Sequence, residues 1–141
     1  MNHNTTCGGL IKQLNDALAK RANNSLRADD LTMTQLEALL ILDEADGGRM
    51  NMKELEHSLH VAQSTAAGIV KRLERKGFIE SCCDPADKRI KIVAITEKGT
   101  GCCAAAGKNM EHEENLLLSS LTDEEKDTLI KLLSKVRNNL K

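Results

Sequence analysis

Residues 61–95 read VAQSTAAGIVKRLERKGFIESCCDPADKRIKIVAI, and this stretch decides the fold. Apolar residues in its first half recur at helical spacing, and Gly77 ends the predicted helix. Two β-competent runs follow at residues 78–83 and 89–95, joined by the charged turn DPADKR. The stretch therefore predicts a helix followed by a two-stranded hairpin.

The helix predicted at residues 63–76 separates its apolar side chains from its polar ones. An advance of about 100° per residue places the apolar set on the side opposite Ser64. That set comprises Ala66, Ile69, Val70 and Leu73. The polar side begins with the short donors Gln63, Ser64 and Thr65. It continues through Gly68 to the cations Lys71, Arg72 and Arg75.

This polar side fits the major groove of a DNA duplex. Short donors can reach base edges, and the later cations suit the phosphate walls. An ordinary solvated helix face is the alternative for the helix taken alone. Gly68 has two interpretations: a larger side chain would hold the backbone away from the groove, or a glycine is merely tolerated at a cost of about 1 kcal/mol against alanine.

The predicted hairpin places three cations at or beside its tip, which are Lys88, Arg89 and Lys91. An arginine on a hairpin tip suits the negative potential of a minor groove, and Asp87 stands where it could orient Arg89. Residues 61–91 contain seven Lys or Arg and four acids, although the whole chain has a net charge of −1. Positive charge is therefore concentrated where DNA would bind.

The flanking sequence predicts further helices around this centre. Thr32 with Gln35 and Thr122 with Glu125 fit capping boxes, and a short helix at 52–59 forms a helix-turn-helix pair with 63–76. Residues 1–9 are expected to be frayed. The first helix carries an apolar stripe that includes Leu10, Ile11 and Leu14. The last helix carries a seam spaced for another helix, which a second copy or the same subunit could supply; its residues include Leu129, Leu133, Val136 and Leu140.

The sequence resembles the MarR family of bacterial winged helix-turn-helix regulators. The resemblance is carried by LTMTQLEALLIL, by QSTAAGIVKRLERKGFIE, and by DPADKRIKIVAITEKG, which contains the D-x-x-D-x-R wing. It implies one mainly α domain over residues 1–141 with a small β-hairpin wing. The winged helix-turn-helix would span about 32–95, and N- and C-terminal dimerisation helices about 10–28 and 97–141.

The resemblance also implies a function. A homodimer would bind a pseudo-palindromic operator in double-stranded DNA, act as a repressor in the bacterial cytoplasm, and be released by a small-molecule effector. Gln63, Ser64, Thr65 and Lys71 match recognition-helix positions and Arg89 matches the wing arginine, while Gly68 departs from the polar residue common there. The chain has no Tyr or Trp, so no aromatic-stacking effector pocket is inferred.

Thiol sensing is an alternative switch. Cys7 lies near the start of the first predicted helix, a position that resembles the family's organic-hydroperoxide-sensing branch. That branch activates its thiol with tyrosines, which this chain lacks. The adjacent pairs at 82–83 and 102–103 have the plainer interpretation of buried or half-buried thiols.

Other classes are disfavoured. No apolar run approaches a membrane span, and the first residues have no export signal, so a cytoplasmic protein with reduced thiols is expected. The sequence offers no phosphate-binding glycine loop or catalytic triad, and we expect no enzyme activity and no cofactor. His57, His60 and His112 match no closed zinc pattern. A winged-helix protein-interaction module is the rival class, but it would more often expose apolar or aromatic anchors.

Overall fold

The structure is a computed structural model that describes residues 5–141. It is mainly helical with a small antiparallel sheet, as the sequence predicts. The elements are α1 (Cys7–Arg27), α2 (Met33–Glu44), β1 (Arg49–Asn51), α3 (Met52–Leu59), α4 (Gln63–Arg75), β2 (Ile79–Cys83), β3 (Lys91–Ile95), α5 (Glu97–Leu117) and α6 (Asp123–Asn138).

Helices α2, α3 and α4 and the sheet surround one apolar core. Its largest fully buried side chains are Leu39, Leu42, Leu55, Leu73, Val70 and Val93. Each such side chain contributes about 1.5–3 kcal/mol by leaving water. This core fixes α4 by its apolar face, so its other face remains available to solvent.

The helix-turn-helix forms through local capping and a tight turn. The Asn51 side chain accepts a hydrogen bond from the Glu54 backbone N–H at 2.8 Å and so begins α3. His60 ends it in the left-handed conformation, with φ of 56°. Only residues 60–62 then separate α3 from α4, which sets the two helices against each other.

The sheet contains a strand that the sequence analysis missed. Its order is β1-β3-β2, and β1 pairs with β3 in the register Arg49 with Ala94 and Asn51 with Ile92. A segment of three residues has too little pattern to reveal a strand, because its conformation comes from pairing with β3. The two wing strands are also shorter than predicted: residues 78, 89 and 90 lie outside them.

Helix α1 begins earlier than predicted. The Thr6 side chain accepts a hydrogen bond from the Gly9 N–H at 3.1 Å, so residues 7–9, expected to be frayed, form the first turn. The same prediction for residues 1–4 lies outside the described residues. The helix then continues to Arg27 through Asn23 and Asn24, where the apolar pattern weakens.

The described chain divides into two compact units, one ending at Cys103 and the other comprising Ala104–Lys141. The first contains the helix-turn-helix, the sheet and α1. The second contains the rest of α5 and α6, which begins with the predicted capping box of Thr122 and Glu125. Helix α5 runs through Gly99, Gly101 and Gly107 without a break.

Candidate nucleic-acid interface

Helix α4 has the two faces that its sequence predicts. Ala66, Val70 and Leu73 are fully buried, and Ile69 is 5% exposed. On the other face, Gln63, Ser64, Thr65, Lys71, Arg72 and Arg75 are exposed, and Gly68 is half-buried. A helix held by its apolar side thus presents hydroxyls in its first turn and cations further along.

Gly68 lies beside the guanidinium of Arg72. A Cβ atom built on Gly68 would meet Arg72 Nη1 at 3.4 Å and no other group closely. Alanine therefore fits at this position if the flexible Arg72 side chain moves by a few tenths of an ångström. The bare backbone of Gly68 is covered from one side by a cation of the same helix face.

The wing loop between β2 and β3 is tied together by its own polar groups. The Asp84 side chain accepts from the Ala86 N–H at 2.8 Å, and the Asp84 N–H donates to the Ile90 carbonyl at 2.8 Å. These bonds are typical of a short turn that an Asp stabilises. The loop therefore holds its tip in a defined shape.

Asp87 holds Arg89 as the sequence suggested. Arg89 Nε and Nη2 donate to the two carboxylate oxygens at 3.1 and 3.2 Å, and the Arg89 backbone N–H donates to Oδ1 at 3.0 Å. These bonds from Arg89 lower the pKa of the Asp87 carboxyl below its usual value. The Arg89 side chain remains 91% exposed, and the guanidinium keeps about three of its five N–H donors for another partner.

A groove of about 650 Å³ lies between α3, α4 and the wing loop. Gln63 and Ala67 line it from α4, and Arg89 lines it from the wing. The beginning of the polar helix face and the wing arginine therefore open onto the same space. The remaining lining residues are Asn51, Met52, Lys53, Glu56, Asp87, Ile90 and Lys91.

Two further cations of this region are engaged by the protein. Lys76 Nζ donates to Gln35 Oε1 at 3.1 Å and to the Asp30 carbonyl, so it joins the end of α4 to the α1–α2 connection. Lys91 Nζ lies 3.7 Å from Glu74 Oε1. The sequence count of positive charge includes both, although Lys76 has a structural role.

The family model described as the MarR family matches residues 31–91. The uncharacterized HTH-type transcriptional regulator YybA of Bacillus subtilis is 30% identical over 94% of this chain and 85% of its own length. The multiple antibiotic resistance protein MarR of Salmonella typhimurium is 32% identical over 92% of this chain and 89% of its own. The chain belongs to the MarR family.

Solved structures agree with this MarR-family assignment. A mutant of Staphylococcus aureus MepR superposes with a TM-score of 0.89 at 24% identity, covering 96% of this chain and 99% of that one. Another mutant of S. aureus MepR, bound to an oligodeoxyribonucleotide, gives a TM-score of 0.75 at 25% identity with the same coverage. The protein is thus a MarR-family transcriptional regulator with a winged-helix fold.

The apolar stripes of this MarR-family chain are exposed within their own units. In α1, Leu10, Ile11 and Leu14 are 47%, 46% and 51% exposed. In α6, Leu133, Val136 and Leu140 are 48%, 48% and 87% exposed, whereas Leu129 is half-buried. Within residues 5–141, none of the helices combines the length and the hydropathy of a membrane span.

The cysteines differ in environment. Cys7 is exposed at the first position of α1. Cys82 and Cys83 are exposed on the short strand β2, so the expectation of buried or half-buried thiols is wrong for this pair. Cys103 is buried, and burial, with Asp43 and Cys102 nearby, raises the pKa of its thiol to about 11. Burial also raises the pKa of the half-buried Cys102.

The histidines form no metal site among the described residues, and the groove includes residues that the sequence did not single out. The His57 and His60 rings lie 6.2 Å apart, and no three His, Cys, Asp or Glu side chains of residues 5–141 are arranged to hold a metal ion. Sequence reasoning missed Met52 and Lys53 as groove residues. A cation at the start of a short helix carries no pattern of its own.

Proposed function

We propose that two copies of this chain form a repressor that binds a pseudo-palindromic operator in double-stranded DNA in the bacterial cytoplasm and is released by a small effector. The observation that carries this proposal is the shared groove: the polar beginning of α4 and the exposed Arg89 guanidinium open onto the same side of the first unit. The protein would act by binding, without catalysis.

The α4 helix would enter the major groove. Gln63, Ser64 and Thr65 stand at its N-terminal end, where short donors can reach base edges. Lys71, Arg72 and Arg75 lie further along the exposed face and would contact phosphates. The DNA-bound MepR mutant supports this proposal because the winged-helix fold is shared.

The wing would contact the adjacent minor groove. Arg89 is exposed, and Asp87 orients it through two side-chain hydrogen bonds. An oriented guanidinium loses less conformational freedom on binding, and its positive charge is attracted by the potential of a narrow minor groove. Lys88 is exposed beside it and would add a phosphate contact.

Dimerisation would cover the apolar stripes. Exposed leucine and valine side chains at successive turns of α6, and a similar stripe on α1, are typical of surfaces that bind another protein. A two-fold dimer also matches the symmetry of a palindromic operator, with half-sites about one helical turn apart. Blocking such a site is the simplest way to repress transcription.

The effector would bind in the groove between α3, α4 and the wing. Its volume of about 650 Å³ suits a small molecule. Met52, Ala67 and Ile90 offer apolar contacts, while Lys53 and Arg89 offer charge to an acidic ligand. A molecule there would compete with DNA for Arg89, so DNA and effector would oppose each other's binding.

The DNA proposal is tested by binding to a library of duplexes from the genome at two salt concentrations. Affinity should fall steeply with salt, because bound phosphates release counterions. Arg89→Ala should weaken binding to the preferred duplex by about 1–3 kcal/mol. Arg137→Ala removes an equal charge from α6 and should change affinity little; binding that is absent or independent of salt would refute the proposal.

The dimer is tested by sedimentation. Val136→Glu should shift the protein to a monomer, because a charge at an apolar interface is left unpaired. Lys131→Glu is the control, since that residue lies about 200° around α6 from Leu129, away from the stripe. A wild-type monomer at micromolar concentration, or a dimer that Val136→Glu leaves intact, would contradict this part of the proposal.

A further inference from the structure

We propose that Glu74 is a positioning residue that braces the wing against α4 and so fixes where Arg89 meets DNA; this inference rests on the proposed function. Glu74 lies in the last turn of α4. Its Oε1 atom accepts a hydrogen bond from the Ser81 hydroxyl on β2 and lies 3.7 Å from Lys91 Nζ on β3. A single carboxylate oxygen therefore joins the recognition helix to both strands of the wing.

The register of the sheet makes this three-way contact possible. Ser81 pairs with Val93, and Cys83 pairs with Lys91. Because side chains alternate between faces, Ser81, Val93 and Lys91 lie on one face of the wing. Val93 is fully buried, so this is the face that packs inward, and Glu74 meets it where it reaches the surface.

Glu74 contacts the wing at the base of its loop, and the loop itself is held in shape by internal hydrogen bonds. The Asp84 N–H bonds the Ile90 carbonyl at 2.8 Å, and the Ile90 N–H bonds the Asp87 carbonyl at 3.0 Å. Asp87 in turn holds Arg89. Because the loop keeps its own shape, its position relative to α4 depends on the contacts at its base. Lys91, which directly follows Ile90, supplies one such contact through its ion pair with Glu74.

Electrostatics alone and the positioning role predict opposite effects of removing Glu74 on DNA affinity. A carboxylate in the last turn of a helix is disfavoured by the helix dipole, and DNA phosphates would repel it. Removal of the Glu74 charge should therefore tighten DNA binding if this residue has no positioning role. If Glu74 braces the wing, its removal should weaken binding, so the sign of the effect separates the two explanations.

The matched control is Glu80. It is exposed on β2 next to Ser81 and lies on the opposite face of the strand. Glu80→Gln also removes one negative charge, from the wing itself, and leaves both attachments of Glu74 in place. Glu74→Gln keeps an acceptor for the Ser81 hydroxyl but removes the charge partner of Lys91, and Glu74→Ala removes both attachments.

The first measurement needs no DNA. Amide hydrogen exchange at residues 84–90 of the full chain should be faster in Glu74→Gln, faster still in Glu74→Ala, and unchanged in Glu80→Gln. Thermal unfolding of each variant accounts for general destabilisation. Exchange equal to wild type in both Glu74 variants would overturn the brace, whether or not the protein binds DNA.

The second measurement uses the preferred duplex. Glu74→Gln should weaken binding about 3–5-fold, the scale of losing a partly exposed ion pair, whereas Glu80→Gln should leave binding unchanged or tighten it. With Arg89→Ala already present, Glu74→Gln should have no further effect, because the brace acts through Arg89. Equal weakening with and without Arg89, or affinity matching Glu80→Gln, would overturn the positioning role. Loss of salt-dependent binding by the wild type would instead refute the proposed function.

Discussion

Replacing Gly99 with alanine should destabilise the first unit. A Cβ atom at this position would lie 2.4 Å from the Phe78 carbonyl oxygen and 2.6 Å from Ile95 Cγ1. The carbonyl cannot easily retreat, because it accepts a hydrogen bond from the Thr96 N–H at 3.0 Å. The beginning of α5 is therefore packed against Phe78 and Ile95 with no space for a side chain at position 99.

The expected magnitude follows from two opposing effects. Overpacking a close contact costs about 1–3 kcal/mol, and a backbone oxygen at this distance places Gly99→Ala at the upper end. The better helix propensity of alanine stabilises the folded state by about 1 kcal/mol. The net loss should be about 2 kcal/mol, or roughly 6–10 °C in the unfolding midpoint of a chain of this size.

Gly101→Ala supplies the matched control for Gly99→Ala. It makes the same substitution in the same helix, two residues later, where no atom lies within 4 Å of the new Cβ. That variant should gain about 1 kcal/mol. Thermal unfolding by circular dichroism at one protein concentration should give midpoint shifts of opposite sign. Shifts of the same sign and size would refute the packing argument.

Further expectations concern Gly68 and Lys76 of the first unit, and the thiols. Gly68→Ala should raise stability by about 1 kcal/mol through helix propensity but weaken DNA affinity if α4 approaches the groove closely; unchanged affinity would leave Gly68 a tolerated glycine. Lys76→Met should cost about 1–2 kcal/mol in urea unfolding through its lost hydrogen bonds and leave the salt dependence of DNA binding intact; a slope reduced by about 1 would instead mean a phosphate contact. Alkylation at pH 8 should modify exposed Cys7 and spare Cys103, whose pKa of about 11 keeps it protonated until the pH rises towards that value; equal rates would contradict the burial argument. Mild peroxide should reduce DNA binding by the wild type and not by Cys7→Ser if Cys7 is a redox switch, and equal behaviour of the two proteins would exclude that role.

The sequence determined the parts of this protein that depend on local pattern. The 3.6-residue period separated the buried face of α4 from its exposed face, and capping residues such as Thr32 and Thr122 marked where helices begin. The spacing of Asp87 and Arg89 was enough to predict their contact, because a side chain two residues away within a turn is already close. These features are encoded within about one turn of chain.

Tertiary structure decided what depends on residues distant in the chain. Strand β1 forms because residues 49–51 pair with β3. A pattern of only three residues is too short to predict this pairing. Lys76 entered the sequence analysis only as one of the seven cations of residues 61–91, and the structure shows that its amino group donates to Gln35, which lies 41 residues away. Glu74 looked like an acid on a basic helix, and only the register of the wing places Ser81 and Lys91 against it. A cation or a carboxylate has the same letter whether it faces solvent, DNA or its own protein, and packing is what distinguishes these partners.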